Sequence, residues 1–171
     1  MVRFRESDLF LRGSVHQEPD EYPLSPEIRK RVQESRFQSW IRRQLVEAGA
    51  MVLNVHGHAM QSPGWADLQV YHRMWTGHIE LKMDPNVVKD GGLQDKRLRD
   101  LNDRGTNACW ISMSNYVRSR GRKKDHLAGG TLRLWRLEAG AWVPHVCPFV
   151  YRNPSDRNGV IILEFLRSMY E

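Results

Sequence analysis

The stretch Gly64-Trp65-Ala66-Asp67-Leu68-Gln69-Val70-Tyr71, running on through Gly77-His78-Ile79-Glu80-Leu81-Lys82, decides how the rest of the chain is read. It predicts two strands joined by a tight turn. Side chains alternate faces along a strand. Glu80 and Lys82 therefore leave one face, and Ile79 and Leu81 leave the other. The apolar pair can enter a core. An Asp opens the first strand, and pairing in register leaves Asp67 beside the charged pair. Two carboxylates and a Lys at one sheet edge suit a divalent cation such as Mg²⁺, which takes carboxylate and carbonyl oxygens. The ammonium would then hold a water or a phosphate oxygen next to the cation. The plain alternative is an Asp67 that caps a turn and a solvated Glu80–Lys82 pair on an exposed strand.

Upstream, Ser25-Pro26-Glu27 carries the signature of a helix start: an N-cap, Pro at the first helical position and an acid in the first turn. Ile28, Val32, Phe37, Ile41, Leu45 and Ala48 follow near helical spacing. The pattern slips between Val32 and Phe37, which predicts a break near Glu34. Gly49 closes the helix. A short strand over Met51 to Val55 and a loop from His56 to Gly64 lead into Asp67.

Downstream, Met83 to Gly92 reads as a loop. Leu93 to Arg104 reads as a helix with Leu93, Arg97/Leu98 and Leu101 inward, closed by Gly105. Asn107 to Met113 reads as a buried strand. The run Arg118-Ser119-Arg120-Gly121-Arg122-Lys123-Lys124 is expected in a basic loop. Thr131–Leu137 and Ala141–Val146 form a hairpin turning at Glu138-Ala139-Gly140. Asn153-Pro154-Ser155-Asp156 makes a turn, and Val160 to Met169 is an apolar helix or strand-helix. The order is helix, three strands, helix, strand, then a hairpin and helix: a mixed α/β fold around one small sheet. Residues 1–24 are read as an N-terminal arm. Residues 25–117 form the core, and residues 118–171 form a basic loop and C-terminal extension packed on the same domain.

The bulk properties narrow the setting. A chain of 171 residues with 27% charged and 40% hydrophobic residues suits one soluble domain. A net charge of +6 favours a polyanionic partner, with nucleic acid the first candidate and a functionally silent basic surface the alternative. Cys109 and Cys147 are the two cysteines and form no C-x-x-C, so a disulfide scaffold is not expected. Met1 to Asp8 lacks the apolar run of a signal peptide, and no run is long enough to span a membrane. The expectation is a cytoplasmic protein with reduced thiols and no membrane partner.

Asp67 followed by Glu80-Leu81-Lys82 on the next strand resembles the PD-(D/E)XK nuclease superfamily, and the flanks are similar to its virus-type replication and repair (VRR-NUC) branch. One flank is Glu34-Ser35-Arg36-Phe37-Gln38 with Ile41, Leu45 and Gly49. The other is Gln94 with Leu98, Leu101 and Gly105, followed by the Ala108 to Met113 strand. The resemblance covers Glu34 to Met113. Each motif is short, and a lone Glu-x-Lys is nearly worthless; the order and spacing of all three carry the likeness. Where the family has Pro before the Asp, this chain has Ala66.

The resemblance implies a restriction-endonuclease-like core and a site using Mg²⁺ or Mn²⁺. Asp67 and Glu80 would be direct metal ligands, with the Leu81 carbonyl completing the protein set. Lys82 would position the attacking water or stabilise the charge added to phosphorus. Glu34 is the candidate outer ligand or water-mediated base, against a carboxylate favouring a helix start. Gln94 is the candidate contact to the scissile phosphate or metal-bound water, against a surface helix residue. Gln38 is a weaker candidate one turn after Glu34.

Phosphate contacts are the natural use of Arg118, Arg120, Arg122, Lys123 and Lys124, against a solvated basic loop. Trp65, two residues before Asp67, is the Trp placed to stack on a splayed base. The other tryptophans are read as core or hairpin packing. His58 and Gln61 sit in the loop leading to Asp67 and are candidates to touch substrate. His56, His58, His145 and Cys147, spaced in two i, i+2 pairs, form a much weaker zinc hypothesis that needs the pairs to meet.

The implied function is metal-dependent hydrolysis of DNA phosphodiester bonds in replication, recombination or repair, in a bacterial or phage setting. Branched DNA such as a four-way junction is the first substrate to consider. Symmetric cutting of such a junction would require a homodimer. The alternative from another class is a non-catalytic nucleic-acid-binding module that keeps the fold without the chemistry.

Overall fold

The protein is described from a computed structural model. It describes the backbone of residues 26–55, 64–120, 125–150 and 157–171, and side chains within 34–55, 64–115, 130–147 and 157–171. Helix α1 spans Pro26–Glu47, followed by strands β1 (Met51–Asn54), β2 (Leu68–Tyr71) and β3 (Thr76–Met83). Helix α2 (Leu93–Asp103) leads to β4 (Ala108–Arg120), β5 (Asp125–Glu138), β6 (Ala141–Val150) and helix α3 (Asn158–Tyr170). The expected mixed α/β order is present, and the C-terminal apolar segment is a helix.

The strands form one six-stranded sheet in chain order, β1 to β6. Neighbours are antiparallel except β3 and β4, which α2 joins as a parallel pair. The sheet is larger than the small one expected, because the C-terminal hairpin continues it beyond β4. That hairpin turns at Ala139-Gly140, both with left-handed backbone (φ 46° and 82°). A two-residue connection with both residues left-handed matches the twist of paired strands.

Each sheet face has its own core. On one face, Val52, Leu68, Val70, Ile79, Leu81, Ile111, Met113, Leu132 and Leu134 pack under Phe37, Ile41 and Leu45 of α1 and Ile162, Leu163 and Leu166 of α3. Burying each of these large apolar side chains contributes about 1.5–3 kcal/mol before the entropy of ordering is counted. The two helices approach closely: a Cβ on Gly159 would collide with the Gln44 carbonyl. On the opposite face, Leu98 and Leu101 of α2 cover Ala66, Ala108 and Trp110, flanked by Trp65, Trp135 and Trp142.

Three local expectations are corrected. Helix α1 runs unbroken past Glu34. After Pro26 it contains no Gly or Pro, and Phe37, Trp40, Ile41 and Leu45 keep one buried face. Leu93 is not inward: it is 54% exposed, and Asp95 takes a buried place in the first turn of α2. Arg118 and Arg120 lie in β4, not in a loop, because β4 pairs with β5 as far as Arg120↔Asp125. Gly49 ends α1 as expected, with left-handed backbone (φ 91°) and its N–H on the Val46 carbonyl at 2.9 Å.

Candidate active site

The alternation read in Glu80-Leu81-Lys82 is present. Ile79 and Leu81 enter the core under α1 and α3, and Glu80 and Lys82 take the α2 face. Strand β2 pairs from Leu68↔Ile79, so the same register sets Asp67 opposite Glu80. Asp67 is buried just before β2 begins, and its Oδ2 accepts the Leu81 N–H at 2.8 Å. A strand residue's N–H and C=O leave by the same edge. The Leu81 carbonyl therefore faces the edge on which Asp67 sits.

Glu80 is 1% exposed. Its Oε1 accepts from Lys82 Nζ at 2.5 Å and from Gln94 Nε2 at 2.5 Å. Its Oε2 is buried with no hydrogen-bond partner among the described residues. Burial pushes the Glu80 carboxyl up to about 7 and the Asp67 carboxylate adds to the rise; Lys82 and the Asp67 backbone N–H pull the other way. Asp67 thus lies near enough to Glu80 for its charge to be felt there, and Glu80 keeps one buried oxygen without a hydrogen bond among the described residues.

Beside this pair lies a cleft of about 640 Å³. Lys82 and Gln94 line it, as do Glu34 from α1, Asn86 and Lys89 from the β3–α2 connection, and Gly92 and Leu93 at the start of α2. Asn86 Nδ2 donates to Glu34 Oε1 at 2.9 Å. The α2 N-cap is Gly92, and among the described residues no side chain caps it. A buried carboxylate of the chain itself, Asp95, already sits in this first turn, with its Oδ2 accepting the Gly91 N–H at 2.8 Å. Glu34, Lys82 and Gln94, drawn from α1, β3 and α2, line one cleft, whereas Asp67 and Glu80 are buried and reach it only through the bonds of Lys82 and Gln94 to Glu80. Among the described residues no three His, Cys, Asp or Glu side chains cluster as a metal cage. The carboxylates that meet are two, Asp67 and Glu80.

Other candidates fall elsewhere. Trp65 is half-buried, with the Arg97 guanidinium 4.9 Å from its ring and His78 tilted against it at 6.0 Å. His78 is itself buried, which lowers its pKa. Gln38 is half-buried on α1 and does not line the cleft. The backbones of Arg118 and Arg120 belong to β4. Arg122, Lys123, Lys124, His56, His58 and Gln61 lie outside the described residues. His145 Nε2 contacts Glu138 Oε1 at 2.8 Å, and Cys147 lies in the core beneath α1 and α3.

Sequence reading missed Asn86, Lys89 and a buried network on α2. Asp95 Oδ1 accepts from Arg99 Nε at 2.7 Å and Trp142 Nε1 at 2.6 Å, and Oδ2 accepts the Gly91 N–H at 2.8 Å. Burial alone would raise the Asp95 carboxyl, but the bonds from Trp142, Arg99 and Gly91 outweigh it and hold the pKa below the ordinary value. The i, i+4 spacing of Asp95 and Arg99 was the one local sign of this network.

No family model, curated protein or solved structure matches the chain.

Proposed function

We propose that the protein is a nuclease that hydrolyses DNA phosphodiester bonds with Mg²⁺ or Mn²⁺ bound at Asp67 and Glu80. The observation that carries this reading is the state of Glu80. It is buried, it opposes Asp67, two side-chain donors hold its Oε1, and its Oε2 has no hydrogen-bond partner among the described residues. Two carboxylates and a strand carbonyl suit Mg²⁺, which keeps several waters and is usually held by one or two carboxylates plus substrate phosphate. When bound, the cation would neutralise phosphoryl charge and make a coordinated water more acidic.

The chain's own groups have distinct tasks. Asp67 and Glu80 would hold the cation, and the Leu81 carbonyl would complete the protein ligands. Gln94 fixes the rotation of the Glu80 carboxylate by holding Oε1. Lys82, tethered to the same oxygen, brings a positive charge to the cleft wall, where it can orient water or stabilise charge growing on phosphorus. Glu34 stands on the α1 side of the cleft with Asn86 on one oxygen; its other oxygen can accept a proton from water. Lys89 on the cleft wall favours the anionic substrate. The net charge of +6 agrees with a polyanionic partner.

A panel of labelled linear, flapped and four-way DNAs, with Mg²⁺, Mn²⁺ or EDTA, tests the reading. Cleavage of at least one substrate that stops in EDTA is expected. Tight binding with no cleavage of any member would replace it with a binding module.

A further inference from the structure

The sheet face that holds the candidate site continues beyond α2. Lys82, Ser112 and Arg133 are register partners across β3, β4 and β5. Register partners share a face. Two contacts confirm which face this is. Trp135, two residues from Arg133, stacks on Trp110 at 4.3 Å under α2 and donates Nε1–H to Ser112 Oγ at 3.1 Å. Arg133 reaches back over β4 to Asp84, two residues past Lys82, with Nη1 to Oδ2 at 3.8 Å.

Strands lie about 4.8 Å apart, so the Lys82 and Arg133 backbones are separated by roughly 10 Å. An Arg side chain spans much of that distance.

Arg133 is not spent on the fold. Its pairing with Asp84 is long, and both side chains are more than a third exposed (38% and 46%). Such pairs contribute little. In the adjoining row Ser114, in register with Thr131, has a buried hydroxyl with no hydrogen-bond partner among the described residues. Val146, the next register partner of Arg133, is exposed, so the strip is open to solvent at its β6 end. Past Arg133 toward the β4–β5 connection, the same two strands lead to Arg118 and Arg120.

We infer that Arg133 is a phosphate-binding residue, which grips the DNA backbone beside the phosphate held at Lys82 and directs the strand along β4 and β5. The inference rests on the nuclease reading for its substrate. Asp84 holds the guanidinium in the free protein and gives it up to phosphate. Arg suits this task because its planar fork can bond two phosphate oxygens at once.

Salt-dependent binding of a short labelled duplex and a four-way junction in EDTA, where no bond is cut, tests the inference. Each neutralised phosphate contributes about 0.9 to the slope of log affinity against log salt. Arg133→Ala is expected to lower that slope by about 0.9 and weaken binding about tenfold at moderate salt. Arg133→Lys should keep the slope and lose part of the affinity. Asp84→Asn should tighten binding. Arg136→Ala is the control: that side chain lies on the opposite face, over Tyr170 of α3 at 5.1 Å, and its loss should leave the slope unchanged. An unchanged slope in Arg133→Ala, or wild-type protein that binds neither DNA, overturns the inference. DNA that is bound but never cut overturns the nuclease reading alone, and the Arg133 slope still decides this one.

Discussion

Asp67 Oδ2 accepts the backbone N–H of Leu81, the residue between Glu80 and Lys82, at 2.8 Å. Pairing with β2 begins at Leu68, so the Asp67 side chain supplies the acceptor that the end of β2 does not. The same carboxylate thus ties the sheet together and faces Glu80. The two tasks separate in substitutions. Asp67→Asn keeps an acceptor for Leu81 and should leave thermal stability near wild type while removing metal-dependent cleavage. Asp67→Ala strands a buried N–H and should cost about 1–3 kcal/mol. Urea unfolding of the two variants checks the split; equal stabilities would show that the Leu81 bond carries no weight.

Glu80 makes the metal-free protein pH-sensitive. Its folded pKa, about 7, lies above the ordinary 4.5. A raised folded pKa means that Glu80's stabilising contribution is fully present below pH 4.5, is lost as pH rises through about 7, and changes no further above that. In EDTA, Glu80→Gln should therefore gain on wild type across that window, by about 3 kcal/mol at most. Denaturation midpoints measured at several pH values provide the comparison. A difference that stays flat across the window would contradict the strained carboxylate.

Lys82 and Gln94 share Glu80 Oε1 but differ in charge. Lys82→Met should lower the single-turnover cleavage rate by about 10²–10³, the range for losing one group that stabilises transition-state charge. Gln94→Leu leaves the ammonium in place and should cost less, roughly tenfold. DNA affinity in EDTA should change little for Gln94→Leu. Wild-type cutting rates in Lys82→Met would remove that residue from the chemistry.

The Asp95 network fastens the β5–β6 hairpin to α2. Arg99 extends it through Nη1 to the Gly140 carbonyl at 2.7 Å, in the hairpin turn. Asp95→Ala leaves Arg99 and Trp142 without their buried acceptor and should cost about 3 kcal/mol. Because the folded pKa lies below the ordinary 3.8, the contribution is present above pH 3.8 and fades as pH falls through the lower folded value. Urea unfolding at neutral pH tests the magnitude; a loss under about 0.5 kcal/mol would show that the network is not a fastening.

The parts legible in the sequence were those set by short-range periodicity. Period-two alternation placed Ile79 and Leu81 against Glu80 and Lys82, and turn residues placed Ala139-Gly140. The helical pattern located α2 and its buried Leu98 and Leu101. What was not legible depends on distant contacts. Glu34 meets Asn86 across 52 residues, and Trp142 meets Asp95 across 47. No local pattern encodes such pairs. Leu93 reads as a core position by spacing, but it sits in the first turn at the cleft edge, against Gly64. The length of β4 was hidden by its polar Ser-Asn-Tyr-Val-Arg end and by a bulge near Asn115, whose φ is 48°.

The most direct test of the central claim compares wild type and Asp67→Asn, purified side by side, on one four-way junction and its linear arms in Mg²⁺. Wild type is predicted to cut at least one of these DNAs, with cutting lost in EDTA and lowered at least about a hundredfold in Asp67→Asn. Equal cutting by both proteins, or none by wild type on any DNA, would contradict a nuclease site at Asp67 and Glu80.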